Sequence, residues 1–405
     1  MSSVAAEKEP CGRVITASTE ITGDIDCRDE TAPSVLVVGA DDVTVTCRGG
    51  RLAGGSNCRA VVDVSGRRNA VILGCEIVGC DTGIFAENAP GFVAADNAVS
   101  GFRRFGIEAT RVNGFQIDGN RIDGNGAQGG IELRASDGGK VSSNVVRGLR
   151  LNGIGLYGAS RVLLRENHVR DIGDTCFGFF GMPEENRVTH HVQSVGNRAA
   201  GCRNIGAHEI MFGSHDLHFA ENVMRGGRNG FLIYHGDGRT IHAIDIVRNR
   251  IEGHESGVNV AGDTERVRVR GNLFAGALVA IHLQKAGDVD ISENVFLPPD
   301  DASDAALLEA ADVRGLRFSS NEIGAFRGLV AAKDVSPLTL DDNFWRGCPN
   351  LSLFSIEGGR VPDFLGVMRG ALGSFEFVDE DGDGADDGLC LREEYDMCTV
   401  PSPPW

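Results

Sequence analysis

Residues 114–124 read GFQIDGNRIDG, two short runs that place an apolar residue at every second position and meet at a Gly-Asn pair. A strand hides every second side chain, whereas a helix hides every third or fourth, so this alternation reads as two strands around a corner. The same frame returns as VLLRENHVRDIG at 162–173, VRVRGNLFAG at 267–276 and VDISENVFL at 289–297. Its asparagine falls at Asn97, Asn120, Asn144, Asn167, Asn197, Asn222, Asn249, Asn272, Asn294, Asn321 and Asn343, at intervals of 22 to 30 residues. A repeat of that length is one coil of a solenoid. Asparagine tolerates the left-handed backbone that a sharp corner needs, and its amide can bond to the asparagine one coil away. The eleven copies therefore predict a ladder with the asparagines at the corners. Thirteen residues before most of them a second strand opens on Gly and Ile: Gly83-Ile84, Gly106-Ile107, Gly130-Ile131 and Gly153-Ile154. Two strand signals and two or three turns per repeat predict an all-β parallel β-helix of about 12 coils.

At this point the chain resembles the right-handed parallel β-helix proteins of the pectate-lyase-like superfamily, over roughly residues 11–347. CGRVITASTEITGDIDC at 11–27 and VLVVGADDVTVTCRGGRLAGG at 35–55 are similar to the first coils of its secreted members, and NFWRG at 343–347 to a C-terminal cap. The division expected is a disordered segment 1–10, the β-helix 11–347, and a cap and tail 348–405. The resemblance implies a polysaccharide-active protein; lyases, C5-epimerases and hydrolases share the fold, which does not choose among them.

The 405 residues carry a net charge of −18, which argues against nucleic acid or an anionic membrane as partner, since both recruit basic surfaces. No stretch approaches the roughly 20 apolar residues of a membrane span. Eleven cysteines, several in local pairs (Cys11/Cys27, Cys75/Cys80, Cys176/Cys202, Cys390/Cys398), lack zinc-site spacing and suit an oxidising compartment. A secreted or periplasmic monomer, its signal peptide removed, is the expectation. Cys11 and Cys27 are expected to be joined, because a solenoid must cap its open N-terminal end.

Aligning the repeats on their asparagines places Phe85, Glu108, Glu132, Gly155, Gly178, Glu209, Leu232, Asn259 and His282 in one outward line. Glu87, Thr110, Arg134, Tyr157, Phe180, Met211, Tyr234 and Gln284 form a second, two residues on. Aromatic rings, carboxylates, amides and arginine in such a face suit a sugar groove. Eight of ten histidines lie between 190 and 254, where the intervals lengthen, and histidine titrates near neutrality. A lyase or epimerase needs a base beside a uronate and a partner for its carboxylate. His208, Tyr234 and His235 are therefore the expected catalytic residues. Glu108, Glu132, Arg134, Tyr157, Glu209, Asn259, His282 and Lys285 are the expected substrate contacts. Against the lyase reading, the DPHD run of alginate epimerases is absent. Two alternatives stand beside it: a glycoside hydrolase using Glu108 and Glu132, which lie on adjacent coils at about the separation of a retaining pair, and a non-catalytic glycan-binding rod. Asp379, Asp381, Asp383 and Asp387 around Gly384 in VDEDGDGADDGLC (378–390) resemble an EF-hand-like calcium loop, although its twelfth position is Cys390 rather than an acid. Structural calcium is the cofactor expected.

Overall fold

The computed structural model describes residues 11–299, 305–324, 326, 328–345, 354–357, 375–378 and 388–391. They fall into two compact units, Met1–Leu217 and His218–Trp405. The chain winds through about 14 coils, more than the 12 expected, because the first coils carry no ladder asparagine. The calcium-type loop at Asp379, Asp381, Asp383 and Asp387 lies outside the described residues.

In the first unit every coil contributes three short strands to three parallel ladders. One runs through Thr82–Glu87, Phe105–Thr110, Gly129–Arg134, Asn152–Tyr157, Thr175–Phe180 and Arg198–Met211, paired in register. The other two include Val93–Ala95 on Gln116–Asp118 and Ala98–Ser100 on Arg121–Asp123. The second unit repeats the plan with longer strands, Val223–Tyr234, Arg250–Arg270, Val279–Ser292, Ala306–Ser319 and Gly328–Asp341. It also holds an antiparallel pair, Phe375–Val378 with Gly388–Leu391.

The core is a set of columns. Ile84, Ile107, Ile131, Ile154 and Phe177 stack register to register, all buried. Each contributes about 1.5–3 kcal/mol of burial. The glycine before each isoleucine also faces inward: a Cβ on Gly83 would lie 2.3 Å from Val99, and one on Gly130 2.5 Å from Val146. Two consecutive inward positions break the alternation, and only a residue without a side chain fits the first.

The asparagine ladder is present and buried. Asn97, Asn120, Asn144 and Asn167 each send both their backbone N–H and their side-chain Nδ2 to the Oδ1 of the next asparagine, at 2.9–3.1 Å. Asn222 through Asn321 do the same in the second unit. The left-handed residue is not the asparagine, as expected from sequence, but the one before it. Asp96, Gly119, Ser143, Glu166 and Gly196, and in the second unit Glu221, Arg248, Gly271, Glu293, Ser320 and Asp342, all have φ between 49° and 65°. The corner is turned one residue early, which leaves the asparagine free to aim its amide down the column.

Cys11 and Cys27 are joined, as are Cys176 and Cys202. Cys75 and Cys80 are not joined to each other. Cys75 bonds Cys47 and Cys80 bonds Cys58, across 28 and 22 residues, because cysteines one coil apart stack at the spacing a disulfide spans. The Cys75 N–H donates to Asn97 Oδ1 at 2.9 Å, so Cys75 occupies the ladder position ahead of the first asparagine and its disulfide carries the column one coil further. Cys398 lies outside the described residues, so its pairing with Cys390 is not described. Among the described residues no helix is long and apolar enough to cross a membrane.

Candidate functional site

The outward face of the first unit carries three columns. The two expected from sequence are in register: Phe85, Glu108, Glu132, Gly155, Gly178, Glu209, and Glu87, Thr110, Arg134, Tyr157, Phe180, Met211. The third, Thr82, Phe105, Gly129, Asn152 and Thr175, was missed. Its signal is the residue just before each inward glycine, which the broken alternation turns outward.

Glycines hollow the middle of this face and aromatic rings fill the hollow. A Cβ on Gly155 would lie 2.9 Å from the Tyr157 ring, and one on Gly178 2.2 Å from the Phe180 ring. Both rings therefore fold back over their own strand into an aromatic platform, with centroids 4.9 Å apart and planes tilted by 36°, of which Phe180 is only 6% exposed. Asn152 Nδ2 is 2.6 Å from the Tyr157 hydroxyl. Burial and then the Glu132 charge push that phenol well above its ordinary range.

Carboxyls flank the platform. Glu132 is only 6% exposed, and burial lifts it to about 7 even though Arg134 Nη1 donates to it at 3.1 Å. The neighbouring Glu108 charge raises it further. Arg134 also sits 5.1 Å from the centroid of Tyr157. Glu108, one rung away and half-buried, accepts from Thr82 Oγ1 at 3.3 Å. On the far side Glu209, 8% exposed, is also lifted to about 7, by burial and then by Asp174, while the Thr175 hydroxyl donates to it at 2.8 Å. Asp174 is raised by burial. A carboxyl near 7 still carries its proton in about half of the molecules at neutral pH and can give it up, as a general acid must.

His208 does not belong to this face. It pairs with Phe177 in the inward column, is 0% exposed, and stacks on Phe177 and Phe179 with centroids 5.1 and 6.1 Å away. Period-two alternation explains the correction, since Glu209 and His208 are adjacent and cannot both point outward.

In the second unit Tyr234 is 40% exposed, and its ring centroid lies 5.2 Å from that of His235. The His235 ring presses onto Gly262, where a Cβ would meet Nδ1 at 1.8 Å. That nitrogen is buried without a hydrogen-bond partner among the described residues. Asn259 pairs with Leu232 and His282 in register, and its Nδ2 donates to Asn229 Oδ1 at 3.2 Å. His282 Nδ1 is 3.0 Å from Glu309 Oε2 in a hollow of about 340 Å3 lined also by Gln284 and Lys333. Lys285 is not with them. It turns away at φ 55° into a separate hollow of about 530 Å3 lined by Asp263, Glu265, Asp312 and Arg314.

Residues 60–212 match the family model described as a right handed beta helix region. No curated protein matches the sequence. Among solved structures the chain is similar to the A-module of a mannuronan C-5 epimerase from Azotobacter vinelandii, at 14% identity and a TM-score of 0.55, over 82% of this chain and 91% of that one. It is also similar to a hyperthermoactive exopolygalacturonase from Thermotoga maritima, at 9% identity and a TM-score of 0.53, over 83% and 94%. Identities this low speak to fold alone. Pattern, register and comparison agree that the chain is a right-handed parallel β-helix protein.

Proposed function

We propose that this protein is a secreted or periplasmic polysaccharide-active monomer that binds glycan along the outward face of residues 105–211 and hydrolyses it. One observation carries the reading: Glu132, on the outward face yet buried and held near pH 7, stands one rung from Glu108. Adjacent rungs are about 4.8 Å apart, close to the roughly 5–5.5 Å of a retaining pair. In that chemistry the Glu108 carboxylate attacks the anomeric carbon and the glycosidic C–O bond breaks. Glu132 gives its proton to the departing oxygen. Water, deprotonated by Glu132, then displaces Glu108 and restores both groups. Tyr157 and Phe180 lie under the sugar, with Arg134, Asn152 and Glu209 as its polar contacts. The disulfides support the compartment.

A second reading, a uronate lyase or epimerase, is favoured by the exposed phenol of Tyr234 beside His235, with Asn259 and His282 on the same unit's face. One panel decides between them. Neutral and uronate polysaccharides are scored for reducing ends and for the ultraviolet absorbance of a new conjugated double bond. The hydrolase reading expects reducing ends without unsaturation, lost by about 10²–10⁴-fold in Glu132→Gln and retained in Tyr234→Phe. Unsaturated product that survives Glu132→Gln and dies in Tyr234→Phe overturns it in favour of the lyase. Binding without either product is resolved by NMR of the recovered uronate polymer: inverted C5 configuration leaves the epimerase, and unchanged configuration leaves a glycan-binding rod.

A further inference from the structure

On the outward face of the second unit two columns run in register. His282 pairs with Glu309 and Glu309 with Ala331, while Gln284 pairs with Ala311 and Ala311 with Lys333. The columns stand two residues apart along each strand, so all six side chains leave the same side of the sheet. Ala311, half-buried, and Ala331, exposed, lie diagonally among the four polar residues and reach no further than a methyl group. Over them the face sinks into the hollow of about 340 Å3 that all six residues line. With rungs about 4.8 Å apart and about 3.3 Å per residue along a strand, the patch measures roughly 10 by 7 Å. That is room for one sugar ring.

The groups around the alanines suit hydroxyls better than an ion. His282 Nδ1 is 3.0 Å from Glu309 Oε2, which places the proton on Nδ1 and leaves Nε2 an acceptor in the neutral ring. The Glu309 carboxylate keeps further lone pairs, Gln284 supplies a carbonyl and an amide, and Lys333 supplies N–H donors. Glu309 and Lys333 carry opposite charges on either side of Ala311 and Ala331 in the register, so their fields oppose one another at the ligand. What they offer is directional donors and acceptors over an apolar floor, the combination that fixes a small polar molecule with a C–H face.

We propose that this hollow is a binding site for a single neutral sugar residue, with Ala311 and Ala331 as its floor and His282, Gln284, Glu309 and Lys333 as its hydroxyl partners. The site belongs to the second unit and does not rest on hydrolysis at Glu108 and Glu132.

The test follows the His282 ring signals of the full chain, labelled with ¹⁵N-histidine and assigned through His282→Gln, by NMR. The probes are the methyl glycosides of glucose, galactose, mannose and xylose, with methyl galacturonide as the charged comparison. At least one neutral glycoside should move the His282 signals saturably and more tightly than the galacturonide. Ala311→Phe, which fills the hollow, should weaken that response by about tenfold or more, and Glu309→Gln, which removes a charge-assisted acceptor, by several-fold. Neither substitution should alter the release of reducing ends, so a failure of the hydrolase reading and a failure of this one are told apart. Circular dichroism checks that each variant is folded. His282 signals that no neutral glycoside moves, a preference for the galacturonide, or a response unchanged in both Ala311→Phe and Glu309→Gln overturns the proposal.

Discussion

Replacing Glu132 by glutamine should stabilise the protein in a pH-dependent way while removing its activity. The carboxyl moves from an ordinary 4.5 to about 7 on folding, a shift of roughly 2.5 units worth about 3 kcal/mol at 1.36 kcal/mol per unit. Because the folded pKa lies above the unfolded one, the fold prefers the neutral form. That preference is fully present below pH 4.5 and is lost as pH rises through 7. Glutamine keeps the shape and stays neutral, so Glu132→Gln should match the wild type at pH 4.5 and exceed it at pH 8. From the gain of up to about 3 kcal/mol, about 1 must be discounted because Arg134 loses its charged acceptor. A net of about 1–2 kcal/mol remains. Glu209→Gln supplies an internal comparison: its lift to about 7 is opposed only by the Thr175 hydroxyl, which a glutamine oxygen can still accept, so its gain at pH 8 should be the larger. Urea midpoints and slopes at pH 4.5, 6, 7 and 8 measure both. A stability difference that stays flat over this range, or Glu132→Gln less stable than wild type at pH 8, would refute the idea that burial outweighs the Arg134 contact.

Asn144→Ala leaves the buried N–H of Asn120 without its acceptor and removes the Asn144 Nδ2 bonds to Ile117 O and Asn167 Oδ1. It should cost about 2–4 kcal/mol in denaturant unfolding, against under about 0.5 for an exposed asparagine. Gly178→Val drives a side chain into the Phe180 ring, so it should weaken glycan binding by about tenfold or more in calorimetry with the fold retained. Chelating calcium should increase proteolysis near Cys390 and Cys398 more than within the coils, if the acidic loop at 379–387 binds the ion; equal cleavage with and without chelator would leave that loop solvated.

The coil, the ladder and two of the three outward columns were legible because each depends on one period repeated many times, and errors of a residue in one coil are corrected by its neighbours. What escaped notice was local. The third column required knowing that Gly83 and Ile84 both face inward, a break in alternation that no single coil announces. The elevation of Glu132 and Glu209 comes first from burial, a property of the assembled coils that the residue types at those positions do not announce. His208 was misplaced for the opposite reason: its chemistry was attractive, and the alternation that makes Glu209 outward already excluded it. Cys11–Cys27 and Cys176–Cys202 were legible; only Cys75 and Cys80 were mispaired, by weighing closeness along the chain over closeness along the coil axis.

The ladder also has a direction. Within each unit every asparagine donates toward its successor and accepts from its predecessor, so the amide dipoles add along the column as peptide dipoles add along a helix. Such a column is indifferent to its own length. Copying one asparagine-to-asparagine segment, or cutting one out, restores every donor to an acceptor, and only a reversed coil would find donors facing donors. A lineage of such chains is therefore free to lengthen its groove by whole coils, moving acids and rings past one another in steps of one rung without renegotiating the interior.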